Sequence, residues 1–175
     1  GFNSLYVNNE AHVKEVAIKV SNGYVYVLNS VLSPLVENLY ERVSESETGA
    51  GEKTFSIFKT LLEQTSWSDS LSVIYEEIKQ PNGSLLKRKR DYTLLAVSDA
   101  VFKQEGISSI TDLANKIGVE GTDYKNKENG LFLYAAYHII EGNYSLFDFR
   151  SFDGTAKKKL WNTKAEAVLE VSLQE

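Results

Sequence analysis

The chain has two histidines, His12 and His138, and no cysteine. Few residues are therefore left to carry acid–base, nucleophilic or metal chemistry. The missing cysteines exclude disulfides, thiolate metal sites and Cys nucleophiles, without fixing a compartment. Two histidines far apart, with no carboxylates at local ligand spacing, do not make a zinc site. The serines of "WSDSLS" (Trp67–Ser72) have no partnered base, so nucleophilic catalysis is unsupported. Residues 49–51, "GAG", lack the Lys and following Ser/Thr of a phosphate loop. "DYKNKENG" at 123–130 has the outline of a calcium loop, but Lys125 stands where an oxygen ligand is needed. "KRKR" at 87–90 offers charge for an anionic glycan or phosphate. Beside the turn "PNGS" it reads first as a solvated loop flank. Trp67, Trp161 and the ten tyrosines would make a sugar-stacking face if exposed, and most are expected in the core. The expectation is a protein with no catalytic residue, no metal and no cofactor.

Positioning what remains takes an ordinary globular chain. The 175 residues are 42% hydrophobic and 25% charged, enough for one domain or two small ones. A net charge of −5 argues against a nucleic-acid partner, whose recognition surface is usually basic. No apolar run approaches the roughly 20 residues of a membrane helix. The chain opens Gly1-Phe2-Asn3, without an initiator or a signal peptide, and reads as a mature or excised fragment.

Strands come first. Residues 4–7 read as a short strand. In "HVKEVAIKV" Val16, Ile18 and Val20 share a face. Asn22-Gly23 signals a hairpin turn because both residues tolerate positive φ, and residues 24–28 run back. Helices follow. Leu35, Leu39 and Val43 fall at i, i+4, i+8, residues 44–53 read as a loop, and Phe55, Phe58, Leu61 and Leu62 have helical spacing. A third helix is expected over 68–79, capped by Ser68 or Ser70, then a turn at "QPNGS". Residues 93–97 read as a strand entering a helix capped by Ser98 or Asp99. "SSITDLANKIG" is a short helix closed by Gly118. The most apolar helix carries Leu131, Tyr134, Ala135 and His138 and ends at Gly142. Beyond "SLFDF" and the turn "FDGT", two strands lie near Leu160-Trp161 and over 167–173. Strands, then helices, then strands predict an α+β fold.

Three stretches have the form of boxes from one family. "TLLAVSDAVF" fits T-x-x-A-P-T-D-x-A-F at Thr93, Ala96, Asp99 and Phe102, with Val97 for the Pro, Ser98 for the Thr and Val101 for the small residue. "LYAAYHIIEG" fits L-x-Y-H-[IV]-x-x-G at Tyr137, His138, Ile139 and Gly142. "NGYVYVLNSVLSP" fits N-G-x-[IV]-H-x-[IV]-D-x-V-L-x-P at Asn22, Gly23, Val25, Val31, Leu32 and Pro34, with Tyr26 for the His and Asn29 for the Asp. Together they resemble the fasciclin domain, an extracellular adhesion module. The resemblance covers nearly the whole chain, and residues 67–79 carry little of it.

The third box closes the family's domains, yet here it comes first. Residues 1–34 thus resemble the C-terminal hairpin of one fasciclin domain, and residues 35–175 the front part of the next. The expected outcome is one compact permuted unit over 1–175, monomeric or exchanging strands between two chains. The resemblance implies a mixed β-sheet wedge with several packed helices. It also implies a non-enzymatic adhesion role at the cell surface or outside the cell, with a surface or matrix protein or a glycan as partner. A glycan- or small-ligand-binding domain is the alternative, and aromatics lining a groove would favour it. Tyr137-His138 matches the adhesion motif proposed for the family. The spacing of His138 with Leu131 and Tyr134 favours, over that motif role, a mostly buried core histidine acting structurally.

Overall fold

A computed structural model describes residues 5–7, 11–14, 17–32, 37–45, 54–151 and 158–172. Contacts divide the chain into unit 1, residues 1–37, and unit 2, residues 38–175. The fold is α+β, and among the described residues every ladder is antiparallel and two-stranded. The single mixed sheet that the resemblance implies is not seen among them.

Unit 1 is built from short strands. β1 (Tyr6–Val7) pairs with β2 (Ala11–His12), and β3 (Ile18–Val20) with β4 (Gly23–Val25). Val13 bridges Leu28. The hairpin loop is Ser21-Asn22, one residue earlier than expected, because Val20 pairs with Gly23 and draws the glycine into the strand. Asn22 and Gly23 do not take positive φ. The Asn29 side chain accepts from His12 N–H at 2.7 Å and ties the two hairpins together. Val16 and Pro34 lie outside the described residues.

Unit 2 carries the core. α1 (Leu39–Ser44) starts later than the spacing from Leu35 predicts, since Asn38 and Glu41 form a capping box, each side chain taking the other's backbone N–H at 2.9 Å. Leu35 itself and the glycines at 49–51 lie outside the described residues. α2 (Ser56–Gln64) buries Phe58, Leu61 and Leu62 completely. α3 (Trp67–Ser72) is a single short helix. The expected helix to residue 79 is instead the strand β5 (Tyr75–Lys79), returning through the Pro81-Asn82-Gly83 turn as β6 (Leu85–Lys89). Cross-strand pairing explains the change: Glu76 faces Arg88, and Glu77 faces Lys87. β7 (Tyr92–Leu94) leads to α4 (Asp99–Gln104), α5 (Ile110–Lys116) and α6 (Gly130–Tyr137). At Gly118 φ is +71°, as expected for the C-terminal cap of α5.

α6 stops at Tyr137, five residues before the expected Gly142. Ile139-Ile140-Glu141 form the strand β8 (Ile139–Glu141), paired with β7 as Tyr92↔Glu141, Thr93↔Ile140 and Leu94↔Ile139. β-Branched Ile139 and Ile140 favour the strand. "SLFDF" forms α7 (Leu146–Arg150), closed by a Ser145–Asp148 capping box. The "FDGT" turn lies outside the described residues. β9 (Lys158–Asn162) and β10 (Val168–Ser172) make the last hairpin, as expected. α2, α6 and β8 bury Phe58, Leu61, Leu131, Ala135 and Ile139 in one cluster, with Phe102 and Leu113 from α4 and α5. Each large side chain so buried contributes about 1.5–3 kcal/mol.

Candidate functional site

Of the two candidate caps for α4, Ser98 and Asp99, Asp99 does not cap its own helix. It caps another. Its carboxylate accepts from the backbone N–H groups of Ser56 and Ile57, each at 3.0 Å, and from Ser56 Oγ at 2.8 Å. These are orphan donors at the start of α2, 43 residues upstream. Burial pushes the Asp99 carboxyl up, but the bonds from Ile57, Thr54 and Ser56 outweigh it and hold the group below its ordinary value. Ser98 occupies the N-cap position of α4 without a side-chain bond. Phe102 packs in the core.

His138 ends α6. Its backbone N–H turns to Ala135 O at 3.1 Å, and its ring Nδ1–H donates to Tyr134 O at 2.8 Å. A carbonyl only accepts, so the proton sits on Nδ1 and Nε2 is the ring's acceptor. The ring thereby takes a carbonyl that the ending helix leaves open. It packs edge-on against Phe58, 5.4 Å between centroids, and beside Tyr134 at 4.7 Å. Burial pushes its pKa below the ordinary value, against the Tyr134 carbonyl, which favours the charged ring. The ring is half-buried, less than expected, because it sits at the helix end. Tyr137 is half-buried beside it, the rings edge-to-face at 6.1 Å.

Thr93 joins two of the sequence boxes. Its hydroxyl donates to Gly142 O and accepts from Tyr144 N–H, both at 2.8 Å. Gly142 has φ of +113°, and a Cβ there would lie 2.6 Å from the Tyr144 ring. Both facts require glycine. The chain leaves β8 at this point and lays the Tyr144 ring 4.3 Å from Trp161, edge-to-face, with Phe149 on the indole at 5.1 Å.

Just past the end of β9, Thr163 bridges Ile140 of β8, and Lys164 N–H donates to Ile139 O at 2.8 Å. A groove of about 670 Å³ opens there, lined by Glu141, Tyr144, Trp161, Asn162, Lys164 and Glu166 among others. Glu141 and Lys164, paired at 3.5 Å, form its boundary with a second groove of about 420 Å³ around Tyr92. The second groove holds the basic run. That run is strand rather than loop flank through Lys89, and each cation has a partner in the chain. Lys87 lies over Tyr75, Arg88 pairs with Glu76, Lys89 with Asp91 at 3.2 Å, and Arg90 donates to Tyr92 Oη at 2.6 Å.

The structure thus gathers Thr93, Tyr137, His138 and Gly142 around the α6–β8 junction, with Asp99 and Phe102 in the same core, and leaves Asn22 and Gly23 in unit 1. Sequence reasoning named Trp161 and the tyrosines as a group but missed Glu141, Asn162, Lys164 and Glu166. The available signal was the glycine that interrupts β8 before Tyr144. Among the described residues no group of three or more His, Cys, Asp or Glu could hold a metal, and no helix is long and apolar enough to cross a membrane. Comparison of the chain with family models and with curated proteins finds no match.

Proposed function

We propose that the chain is a non-enzymatic interaction module of fasciclin type, working at the cell surface or outside the cell through contacts with a surface or matrix protein. The observation that supports this is the meeting of two boxes whose Thr93 and Gly142 lie 49 residues apart. The Thr93 hydroxyl of one donates to the Gly142 carbonyl of the other beside the β7–β8 ladder, and Asp99 and His138 each terminate a helix against the same core. Residues identical to the family's pattern have fold-defining work to do here. The adhesive role itself comes from the resemblance, since fold alone does not establish function.

The soluble chain, probed against arrays of matrix proteins and glycans, should bind a matrix or surface protein, and Tyr137→Ala should weaken that binding. Reproducible turnover in a broad substrate screen, abolished by one point mutation, would overturn the proposal. A glycan-binding domain is the second reading. The groove lined by Tyr144 and Trp161 favours it.

A further inference from the structure

We infer that the groove between the end of β8 and the β9–β10 turn is a binding site for a neutral oligosaccharide. Its volume of about 670 Å³ falls within the roughly 300–1,000 Å³ of small-ligand sites. Tyr144 and Trp161 supply aromatic surface, which suits the apolar C–H face of a sugar ring. Glu141, Asn162 and Glu166 supply carboxylate and amide groups, which match pairs of sugar hydroxyls. The groove's cation, Lys164, is paired with Glu141, so two carboxylates face one neutralised ammonium. That balance disfavours an anionic ligand.

Glu166 is the second, independent observation. It has φ of +57° in the turn where Thr163 N–H and Oγ1–H both donate to Ala167 O. Glycine adopts this conformation without strain, and a residue with a Cβ pays about 1–2 kcal/mol. Among the described residues no contact of its carboxylate offsets that cost. The side chain lines the groove instead. A glutamate that strains its own turn while presenting an unpaired carboxylate to a mainly polar groove edged by Tyr144 and Trp161 fits a ligand contact better than a structural role.

The inference stands apart from the family resemblance. The test titrates the full chain with cellotetraose, mannotetraose and a heparin tetrasaccharide, followed by calorimetry and tryptophan fluorescence. One of the neutral tetrasaccharides should bind. Glu166→Gly should weaken binding about tenfold or more while melting at or above the parental temperature. Trp161→Phe, which keeps an aromatic beside Tyr144 and Phe149, should weaken it too. No binding of either neutral probe in the millimolar range, or binding of the heparin fragment alone, overturns the inference. So does a Glu166→Gly protein that melts lower than the parent or binds equally well. Matrix-protein binding that survives Glu166→Gly but not Tyr137→Ala would separate the two surfaces and leave the adhesion proposal intact.

Discussion

Asp99 and His138 each bind a helix end, and each is tuned by the bond it makes. The Asp99 carboxyl sits below its ordinary value in the fold. Its contribution to stability is complete above the unfolded value near 3.9 and is lost as pH falls through the lowered folded value. Asp99→Asn presents at best one acceptor to two backbone donors. It should cost on the order of 1–3 kcal/mol at neutral pH and flatten the acid limb of a melting-temperature profile. The His138 ring is also lowered, by burial, so the fold prefers it neutral. Its contribution is full above about pH 6.5 and is lost as pH falls through the lowered folded value. His138→Ala should lower stability by about 1–3 kcal/mol, through the Tyr134 carbonyl left without its ring partner. A variant that melts like the parent but loses ligand binding would reverse that assignment. Gly142→Ala meets a conformation rare for a residue with a Cβ and a ring 2.6 Å away. Thermal melting should show it destabilised by more than about 1 kcal/mol.

At the scale of elements, pattern and pairing compete. Helix α2 was legible because Phe58, Leu61 and Leu62 repeat at helical spacing and all three are buried. The last hairpin was legible from the alternation that puts Val171 and Leu173 on one face; Val171 is half-buried together with Leu169, and Leu173 lies outside the described residues. β5 was not, because the serines before it suggest a cap and Ile74, Ile78 and Leu71 also suit a helix. The decisive partner, "LLKRK", lies beyond the turn, and long-range pairing overrides local preference. The Asn-Gly within "QPNGS" was the signal that could have revealed it, since that pair marks hairpins. β8 was hidden for a related reason. Ile139 and Ile140 continue the apolar run of α6, and the His138 ring and the pairing with β7 stop the helix. The grooves were less legible still, since they depend on how the turn after β9 is bonded against β8. At the β5–β6 hairpin Glu76 serves both Arg88 and Arg90, and all three side chains are at least partly open to solvent. Such pairs contribute about 0–1 kcal/mol each. Glu76→Gln should therefore shift stability by less than about 1 kcal/mol at low salt, and the shift should shrink as sodium chloride screens the pair.

For the whole molecule the deciding factor is energetic. In unit 1, Ala11 is the one buried apolar residue among those described, while Ile18, Val20, Tyr24, Val25 and Tyr26 are exposed. The strands are two or three residues long. A two-stranded hairpin of that size is marginal in water, and its apolar face needs cover to hold its register. Unit 2 contains the packed core, and its C-terminal hairpin, β9 with β10, is two-stranded and so has edges able to accept further strands. The permuted order expected from the closing box predicts that residues 35–175 depend on residues 1–34 for their stability. The full chain should then melt in one cooperative transition followed identically by tryptophan fluorescence, which reports unit 2, and by far-ultraviolet circular dichroism. Removing residues 2–34 should lower the melting temperature or leave a chain that aggregates. Exchange of the segment between two chains would show as a concentration-dependent dimer in sedimentation. A 35–175 fragment that stays monomeric and melts at the parental temperature would sink the proposal, because a segment that contributes nothing on removal completes nothing when present.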